Sequence, residues 1–212
     1  MRKIVKGQEP DELSTWKRAN PNRRYEHTTG IVKQAIRHAC IDEQFGLCAY
    51  CCKPITPNSD SSHNEHVEAQ HIAPNRTVDF GNIVASCETR GQCGKAHGNQ
   101  QLPLTPLMDE CETEFKFKYS GRIEGVTPRA KTSIDVLKLD NKVLKEARRG
   151  AIEALLYEFG CPPKETADLE ADTISILLDD LAPSDGCELK PYSPVLTNIL
   201  QHELRILQAM CD

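Results

Sequence analysis

Apolar residues recur at three- and four-residue spacing through residues 31–40, and Thr28 and Thr29 stand where a helix N-cap is needed. Residues with this spacing share one face of a helix, so the stretch predicts an amphipathic helix. Gly46 marks its end, because glycine readily adopts the left-handed conformation that often follows a helix. The preceding residues 1–27 are polar and rich in turn formers, which predicts turns.

Two short segments carry patterns that are typical of strands. Residues 83–85 form an apolar run that includes β-branched side chains, which predicts a buried strand. Phe115, Phe117 and Tyr119 alternate with lysines, and Gly121 follows them as a turn residue. This second segment predicts a strand that opens a hairpin.

From about Thr132 onward the apolar spacing is helical. Asn141 is placed to cap one helix. Two more helices are predicted near residues 165–181 and 193–210, with a loop at residues 183–186 between them. The predicted fold class is α+β, with the helices concentrated in the C-terminal half.

The composition is that of a globular protein, with 39% hydrophobic and 27% charged residues in a chain of 212. That length suits one domain with a sizeable core or two small ones. No apolar run approaches the roughly 18 residues needed to cross a bilayer, and the first residues lack the apolar core of a signal peptide. These features predict a cytoplasmic protein with no membrane partner.

The net charge of −5 argues against a nucleic-acid partner, but its distribution does not. Residues 1–38 hold nine Lys or Arg against four Asp or Glu, whereas residues 161–212 hold three against ten. The N-terminal part can therefore face a polyanion while the C-terminal part cannot. The alternative is two ordinary solvated surfaces.

Residues 47–99 contain five of the ten cysteines and four of the seven histidines but little apolar material, so a metal is the candidate for ordering them. Cys48 and Cys51 form one close pair, and Cys87 and Cys93 form another. Two such pairs suit a tetrahedral structural zinc held by four thiolates. Cys52 can replace Cys51 in this set, and disulfides or buried thiols remain alternatives.

Between the two cysteine pairs lies the run His63, Asn64, Glu65 and His66. Metal-assisted phosphodiester hydrolysis requires a base that activates water and a cation that stabilises charge on the phosphate and the leaving oxygen. A neutral histidine suits the base, and a carboxylate with an imidazole or amide suits the cation. Neighbouring strand residues point to opposite faces unless the strand ends there, so Glu65 and His66 are expected at a bend or a bulge.

Glu65-His66 is followed by Asn82, before the Cys87 strand, and then by the Cys93 segment. This order resembles the HNH, or ββα-metal, nucleases, and more narrowly the HNH subunit of Septu anti-phage systems, a family also found with retrons. The resemblance covers roughly residues 1–150 and draws further on residues 1–4, 9–10, 48–51, 102–104, 111–112, 115–117 and 134–139. It implies a small zinc-stabilised ββα-metal core with flanking, mainly C-terminal, helices.

The resemblance also implies roles for the site residues. His66 corresponds to the general base, Glu65 to a ligand of the catalytic divalent ion, and Asn82 to the middle residue that holds the loop. His97 corresponds to the second ligand of that ion, with Asn99 as the alternative. The expected catalytic ion is Mg²⁺ or Mn²⁺, beside the structural zinc.

Two departures from the family pattern leave alternatives open. Related sequences often place histidine before lysine after the last cysteine, whereas here Lys95 precedes His97. Two residues correspond to about 200° of helix rotation, so Asn99 competes with His97 as the ligand. His71 lies in a His-Ile-x-Pro segment of its own and competes with His66 as the base.

The resulting organisation has three segments. Residues 1–46 form a basic N-terminal segment and helix, residues 47–125 the zinc-bound HNH core, and residues 126–212 a helical region that docks a partner. By resemblance, that partner is an ABC-type ATPase, and retron-associated forms add a reverse transcriptase and its msDNA. The substrate is DNA or, alternatively, RNA such as host tRNA. A third hypothesis is a zinc-stabilised binding module without catalysis.

Overall fold

The computed structural model describes residues 1–158, 169–182 and 188–211. These residues form two two-stranded antiparallel sheets among helices, which confirms the predicted α+β class. The helices are α1 (Asp11–Ala19), α2 (Gly30–Glu43), α3 (Gly94–His97), α4 (Pro128–Leu137), α5 (Lys142–Glu158), α6 (Ala171–Leu181) and α7 (Ser193–Cys211). The strands are β1 (Ser62–His66), β2 (Ile83–Cys87), β3 (Phe115–Phe117) and β4 (Ile123–Gly125).

The N-terminal region holds two helices where the sequence predicted one. Helix α2 forms as expected, and the Thr29 hydroxyl caps it by accepting a hydrogen bond from the Val32 amide at 3.3 Å. The prediction of turns alone before it was wrong, because α1 follows Pro10. Acidic residues occupy the first turn of α1 and basic residues the last, an order that complements the helix dipole.

Strands β1 and β2 pair as a ribbon, with Ser62 opposite Cys87 and Glu65 opposite Val84. Every residue of β2 is buried, whereas β1 is made only of polar residues. Helix α2 packs on one face of the ribbon, where the Asn64 side chain donates to the Lys33 carbonyl at 2.8 Å. Helix α3 covers the other face of β1, so neighbouring β1 side chains meet different helices.

The second sheet is the predicted hairpin, with β3 paired to β4. Its turn contains Gly121 at φ +79°, where a Cβ atom would lie 2.0 Å from the Lys145 carbonyl oxygen of α5. Helix α4 begins at Pro128 behind a Thr127 cap, four residues before the predicted start. Helix α5 follows the predicted Asn141 cap, whose Oδ1 accepts from the Leu144 amide at 2.9 Å.

Arg148 of α5 is the link between this helix and the two elements before it. Its side chain is 1% exposed. Its Nε donates to the Gly121 carbonyl at 2.7 Å, and an Nη donates to the Leu139 carbonyl at 2.9 Å. One buried guanidinium therefore ties the hairpin turn and the end of α4 to α5.

Replacing Arg148 with methionine is expected to destabilise the protein, because two buried carbonyls lose their donor at a cost of about 1–3 kcal/mol each. The neighbouring Arg149 is more than half exposed, and its ion pair among the described residues is with Glu153, one turn along α5. Arg149→Met is therefore the matched control, with an expected change within about 0.5 kcal/mol. Urea unfolding of both variants measures the difference, and equal midpoints would contradict this role for Arg148.

The two C-terminal helices share the hydrophobic core of the rest of the chain. Ile174 and Leu177 of α6 are fully buried, and the Asn198 side chain of α7 accepts from the Phe117 amide of β3 at 3.1 Å. Just before α7, the Tyr192 amide donates to the Cys52 carbonyl at 3.0 Å. Residues from all three predicted segments thus contribute to one core.

Part of the predicted C-terminal organisation lies outside the described residues, namely the loop at 183–186 and the first residues of the helix predicted at 165–181. The described part of that helix is α6, and α7 matches the helix predicted at 193–210. Across the described ranges, no helix combines the length and apolar character that a bilayer crossing requires.

Candidate active site and metal centres

The four cysteines of the predicted zinc set meet in space. Their sulfur atoms all lie within 4.8 Å of one another, and each residue is buried. Cys48 and Cys51 lie in a tight turn after α2, Cys87 ends β2, and Cys93 directly precedes α3. Cys52 is buried but is not part of this cluster. The arrangement can hold a structural metal such as zinc.

The surroundings of the cluster suit thiolates. The Cys87 amide donates to Cys48 Sγ at 3.4 Å, and the Gln92 amide group lies 3.9 Å from Cys87 Sγ. Hydrogen bonding with Cys48 raises the pKa of Cys51 and that of Cys93 well above the ordinary thiol value. Four thiols this close therefore need a cation if all are to ionise together.

Cys93 has a backbone φ of +52°, in the left-handed region that non-glycine residues rarely adopt. Such a conformation costs on the order of 1–3 kcal/mol and persists only where the surroundings fix it. Here the Cys93 amide donates to the Leu137 carbonyl at 2.8 Å, and the thiol belongs to the cluster. The strained residue directs α3 back across β1.

Helix α3 brings His97 against Glu65, the two residues expected to bind the catalytic ion. His97 Nδ1 lies 2.6 Å from Glu65 Oε1, and His97 is fully buried. His63 approaches the other carboxylate oxygen, with its Nε2 3.4 Å from Glu65 Oε2. The sequence made His63 a candidate neighbour of the site but not a ligand, although its position two residues before Glu65 on a strand puts both on one face.

Glu65 is an ionised carboxylate within this cluster. Burial raises the pKa of its carboxyl, but hydrogen bonds from His63 and His97 outweigh burial, and the pKa lies below its ordinary value. A largely buried negative charge requires compensation by an opposite charge. The pair Glu65 and His97 thus offers one oxygen and one nitrogen to a cation.

The bend or bulge expected at Glu65 and His66 is wrong, because both residues pair regularly with β2 and point to opposite faces of β1. His66 is 6% exposed. Its Nε2 lies 2.8 Å from the Thr77 carbonyl oxygen. A carbonyl can only accept, so Nε2 carries the proton and Nδ1 keeps the lone pair. The Tyr25 ring packs edge-on against the imidazole at 4.8 Å between centroids.

The protonation of His66 favours a base. Burial lowers the pKa of the imidazole, and this effect outweighs the Thr77 carbonyl and the Glu65 carboxylate, which act in the opposite direction. The neutral form is therefore preferred at neutral pH. A neutral imidazole with its tautomer fixed by a carbonyl is able to accept a proton from water through Nδ1.

Asn82 holds the chain on either side of the loop between β1 and β2. Its Oδ1 accepts from the Glu68 amide at 2.8 Å, and its Nδ2 donates to the Glu68 carbonyl at 3.0 Å. This reciprocal pair closes the loop just beyond His66. The contact is of the loop-holding kind that the family resemblance implies for Asn82.

The two alternative site residues lie at the surface. His71 is exposed in the loop after β1, and Asn99 is exposed beyond the end of α3. Within the described part of the chain, neither side chain makes a hydrogen bond or an ion pair. The structure thus brings His97 to Glu65 and leaves Asn99 and His71 in solvent.

A basic groove of about 610 Å³, termed here the α2 groove, runs along the outer side of α2. It is lined by Gly30, Lys33, Gln34, Arg37, His38, Pro57, Asn58 and Ser59. The Lys33 ammonium lies 5.3 Å from the centre of the Tyr25 ring, the same ring that packs on His66. The groove therefore adjoins the His66 face of the ribbon.

Comparison with known proteins gives two relatives. No model of a known protein family matches the chain. The chain is 27% identical to the "Retron Vc95 putative HNH endonuclease" of Vibrio cholerae serotype O1 biovar El Tor over 140 residues, 59% of this chain and 67% of that protein. It is 26% identical to the "Septu protein PtuB" of Bacillus thuringiensis over 110 residues, 51% of this chain and 42% of that protein.

These two similarities confirm the family resemblance that the sequence motifs predicted, and they support a PtuB-like HNH family. The matched segment spans less than half of the Septu protein. The name of the retron relative points to an HNH endonuclease.

Proposed function

We propose that the chain is the nuclease subunit of a Septu- or retron-type defence complex and that it hydrolyses phosphodiester bonds of nucleic acid. The observation that carries this proposal is that a candidate metal-binding pair and a candidate general base lie next to each other at the end of β1. Glu65 contacts His97 on one face, and His66, with its tautomer set by Thr77, lies on the other. The names of the two relatives point to the same activity.

The donor atoms at Glu65 and His97 fit a divalent cation, because carboxylate oxygen and imidazole nitrogen are both common ligands of such ions. When bound, the cation would stabilise negative charge on the phosphate and on the leaving oxygen. The four cysteines provide a separate site whose ligands suit zinc and whose role is structural.

His66 supplies the base. Its Nδ1 accepts a proton from the water whose oxygen attacks phosphorus, and the bond from phosphorus to the leaving ester oxygen breaks. The Thr77 carbonyl, already bonded to Nε2, stabilises the imidazolium that forms. Tyr25 restrains the ring from one side, and Asn82 maintains the loop that carries Thr77.

The α2 groove supports a nucleic-acid substrate. Lys33 and Arg37 stand one turn apart in it, and neither forms an ion pair within residues 1–158 or the other described ranges. Arg37 Nε is buried without a hydrogen-bond partner there. Cations one turn apart without an acidic partner suit successive phosphates of a backbone. Lys33 and Arg37 can contact the phosphates of DNA and of RNA such as tRNA equally well.

Removing the two charges is expected to weaken binding without changing sequence preference. Lys33→Ala and Arg37→Ala should each reduce the dependence of log Kd on log salt by about one. Lys142→Ala is the matched control, since Lys142 is an exposed lysine on α5, outside the groove. Fluorescence anisotropy with a DNA duplex and with tRNA across a salt series provides the measurement. A salt dependence equal to that of the control would exclude the α2 groove.

The partner is proposed to be an ABC-type ATPase, with a reverse transcriptase and its msDNA in the retron form. The apolar faces of α6 and α7 that point inward are already packed, so docking would use their outward residues. Ile176 is 61% exposed and Met210 is 78% exposed. Deleting the C-terminal segment would open the core and test folding instead of docking.

The activity is tested by incubating plasmid DNA and tRNA with the purified chain, with and without its ATPase partner, in the presence and absence of a divalent ion. Metal-dependent cleavage of either substrate supports the proposal. The second candidate, a zinc-stabilised binding module, is favoured if the complex binds nucleic acid but does not cleave it.

A further inference from the structure

We infer that His63 is a third ligand of the catalytic cation, beside Glu65 and His97. We infer further that the lack of a side chain at Gly94 leaves the space that these three ligands need. The inference rests on the proposed function and deepens it. The proposed function alone does not predict which metal ion binds. A site with two imidazoles and one carboxylate selects transition-metal ions such as Mn²⁺ over Mg²⁺.

The carboxylate of Glu65 lies between two imidazoles. Its Oε1 is 2.6 Å from His97 Nδ1, and its Oε2 is 3.4 Å from His63 Nε2. His63 and Glu65 are two residues apart on β1 and share the face that α3 covers. All three groups are largely or fully buried, with side-chain exposures of 18% for His63, 12% for Glu65 and 0% for His97.

Gly94 is the first residue of α3 and lies directly over this cluster. A Cβ atom at this position would lie 2.6 Å from His63 Nε2 and 2.7 Å from Glu65 Oε2. Any side chain here would occupy the space between the two ligands. The glycine therefore allows α3 to approach β1 closely. Because glycine has no side chain that could bind a metal, the ligand atom at this place is the His63 nitrogen on the strand.

A carboxylate lies beside the far side of the His63 ring. The other nitrogen of His63, Nδ1, lies 3.1 Å from Glu88 Oε1, and the Lys95 ammonium lies 2.7 Å from Glu88 Oε2. The approach of Glu88 to Nδ1 falls outside hydrogen-bond geometry. It nevertheless places a carboxylate where metal sites commonly have one, next to the distal nitrogen of a ligating histidine.

Three buried polar atoms in or beside the cluster have no hydrogen-bond partner in the described part of the chain. They are Nε2 of His97, Nδ1 of His63 and the hydroxyl of Tyr50, which is 1% exposed. After burial, the Glu65 carboxylate is the largest cause of the raised pKa of Tyr50, which places the phenol near the site. Unpaired polar atoms around a buried carboxylate are costly and are expected where a ligand is bound.

The donor set decides the metal preference. Mg²⁺ prefers an oxygen environment and retains several waters, whereas imidazole nitrogen is a ligand of transition metals such as iron, nickel and zinc. Two nitrogens and one carboxylate oxygen therefore disfavour Mg²⁺. Mn²⁺ is the probe of choice, because its free form is counted directly by electron paramagnetic resonance.

The test is Mn²⁺ binding to the zinc-loaded full chain, measured with wild type, His63→Ala, His63→Gln, Glu65→Ala and Glu88→Gln. We expect wild type to bind one Mn²⁺ outside the cysteine site and an equal concentration of Mg²⁺ to leave it bound. Both His63 variants should bind at least about 10- to 100-fold more weakly, and Glu88→Gln should show a smaller loss of the same kind. His202→Ala, on α7, is the matched histidine control and should bind as wild type does.

The outcomes separate this inference from the proposed function. If Glu65→Ala loses Mn²⁺ while both folded His63 variants bind as wild type does, His63 is not a ligand and the proposed function stands. Displacement of Mn²⁺ by equimolar Mg²⁺ would overturn the metal preference. If the wild-type chain binds no Mn²⁺, then both the inference and the cation step of the proposed function fail. Zinc content and circular dichroism identify which variants are folded.

Discussion

Replacing His66 with alanine is expected to lower the rate of phosphodiester cleavage by about 10²–10⁴-fold, the usual loss when a general base is removed. The reason lies in the geometry of β1. His66 is the only described residue of this strand whose imidazole is oriented by a backbone carbonyl, at 2.8 Å from Thr77, and burial keeps it neutral. Single-turnover cleavage by the purified complex measures the loss directly.

The control for this experiment is His71→Ala. His71 is exposed in the next loop, so its removal should leave the cleavage rate near that of wild type. Zinc content, Mn²⁺ binding and complex assembly should stay unchanged in both variants, because neither ring contacts the cysteine cluster or the Glu65 cluster. An inactive His71 variant beside an active His66 variant would move the base to His71.

Breaking the four-cysteine site should have the second large effect, this time on stability. Cys93→Ser is expected to lose the metal and to lower the melting temperature by about 10 °C or more, since about 2–4 °C correspond to each kcal/mol in a chain of this length. Zinc binds zinc-finger peptides with a free energy of about 10–16 kcal/mol, and this binding free energy contributes directly to folding. Loss of the metal also releases the strained φ of Cys93 and with it α3.

Cys52→Ser provides the matched comparison. Cys52 follows Cys51 directly and is equally buried, but its sulfur lies outside the cluster. This variant should retain one zinc per chain and its helix content. Elemental analysis and thermal unfolding of both variants give the result, and a Cys93→Ser protein with normal zinc content would contradict the assignment.

The parts of the fold that were predictable from sequence are those with a local signal. The two cysteine pairs form their turns within a few residues, so spacing was sufficient to group them, while the choice of Cys51 over Cys52 needed the structure. Helix α2 was predicted from the helical spacing of its apolar residues, and strand β2 from a continuous run of apolar residues. The start of α4 was placed four residues too late, although Thr127 before Pro128 is a local signal, since Thr is a good cap and Pro suits the first helical turn.

The parts that were missed depend on partners distant in sequence. Strand β1 has no apolar residue, and it is a strand only because β2 pairs with it. Once β1 is known, the two-residue separation of His63 and Glu65 places both on one face, but without β1 that spacing has no meaning. His66 and Thr77 are eleven residues apart, and their contact depends on the path of the loop between them. No periodic pattern in the sequence predicts that path.

A strand made only of polar residues affects how accurately the two strands align during folding, as well as how stable the sheet is. Most strands select their alignment because a slip of one residue would carry apolar side chains into water. Strand β1 offers no such penalty, yet a slip would exchange the helices that Glu65 and His66 face. Two polar contacts of β1 itself hold the observed alignment: Asn64 donates to the Lys33 carbonyl of α2, and Glu65 meets His97 of α3. Side-chain hydrogen bonds thus take the place of apolar burial in keeping Glu65 toward α3 and His66 toward α2.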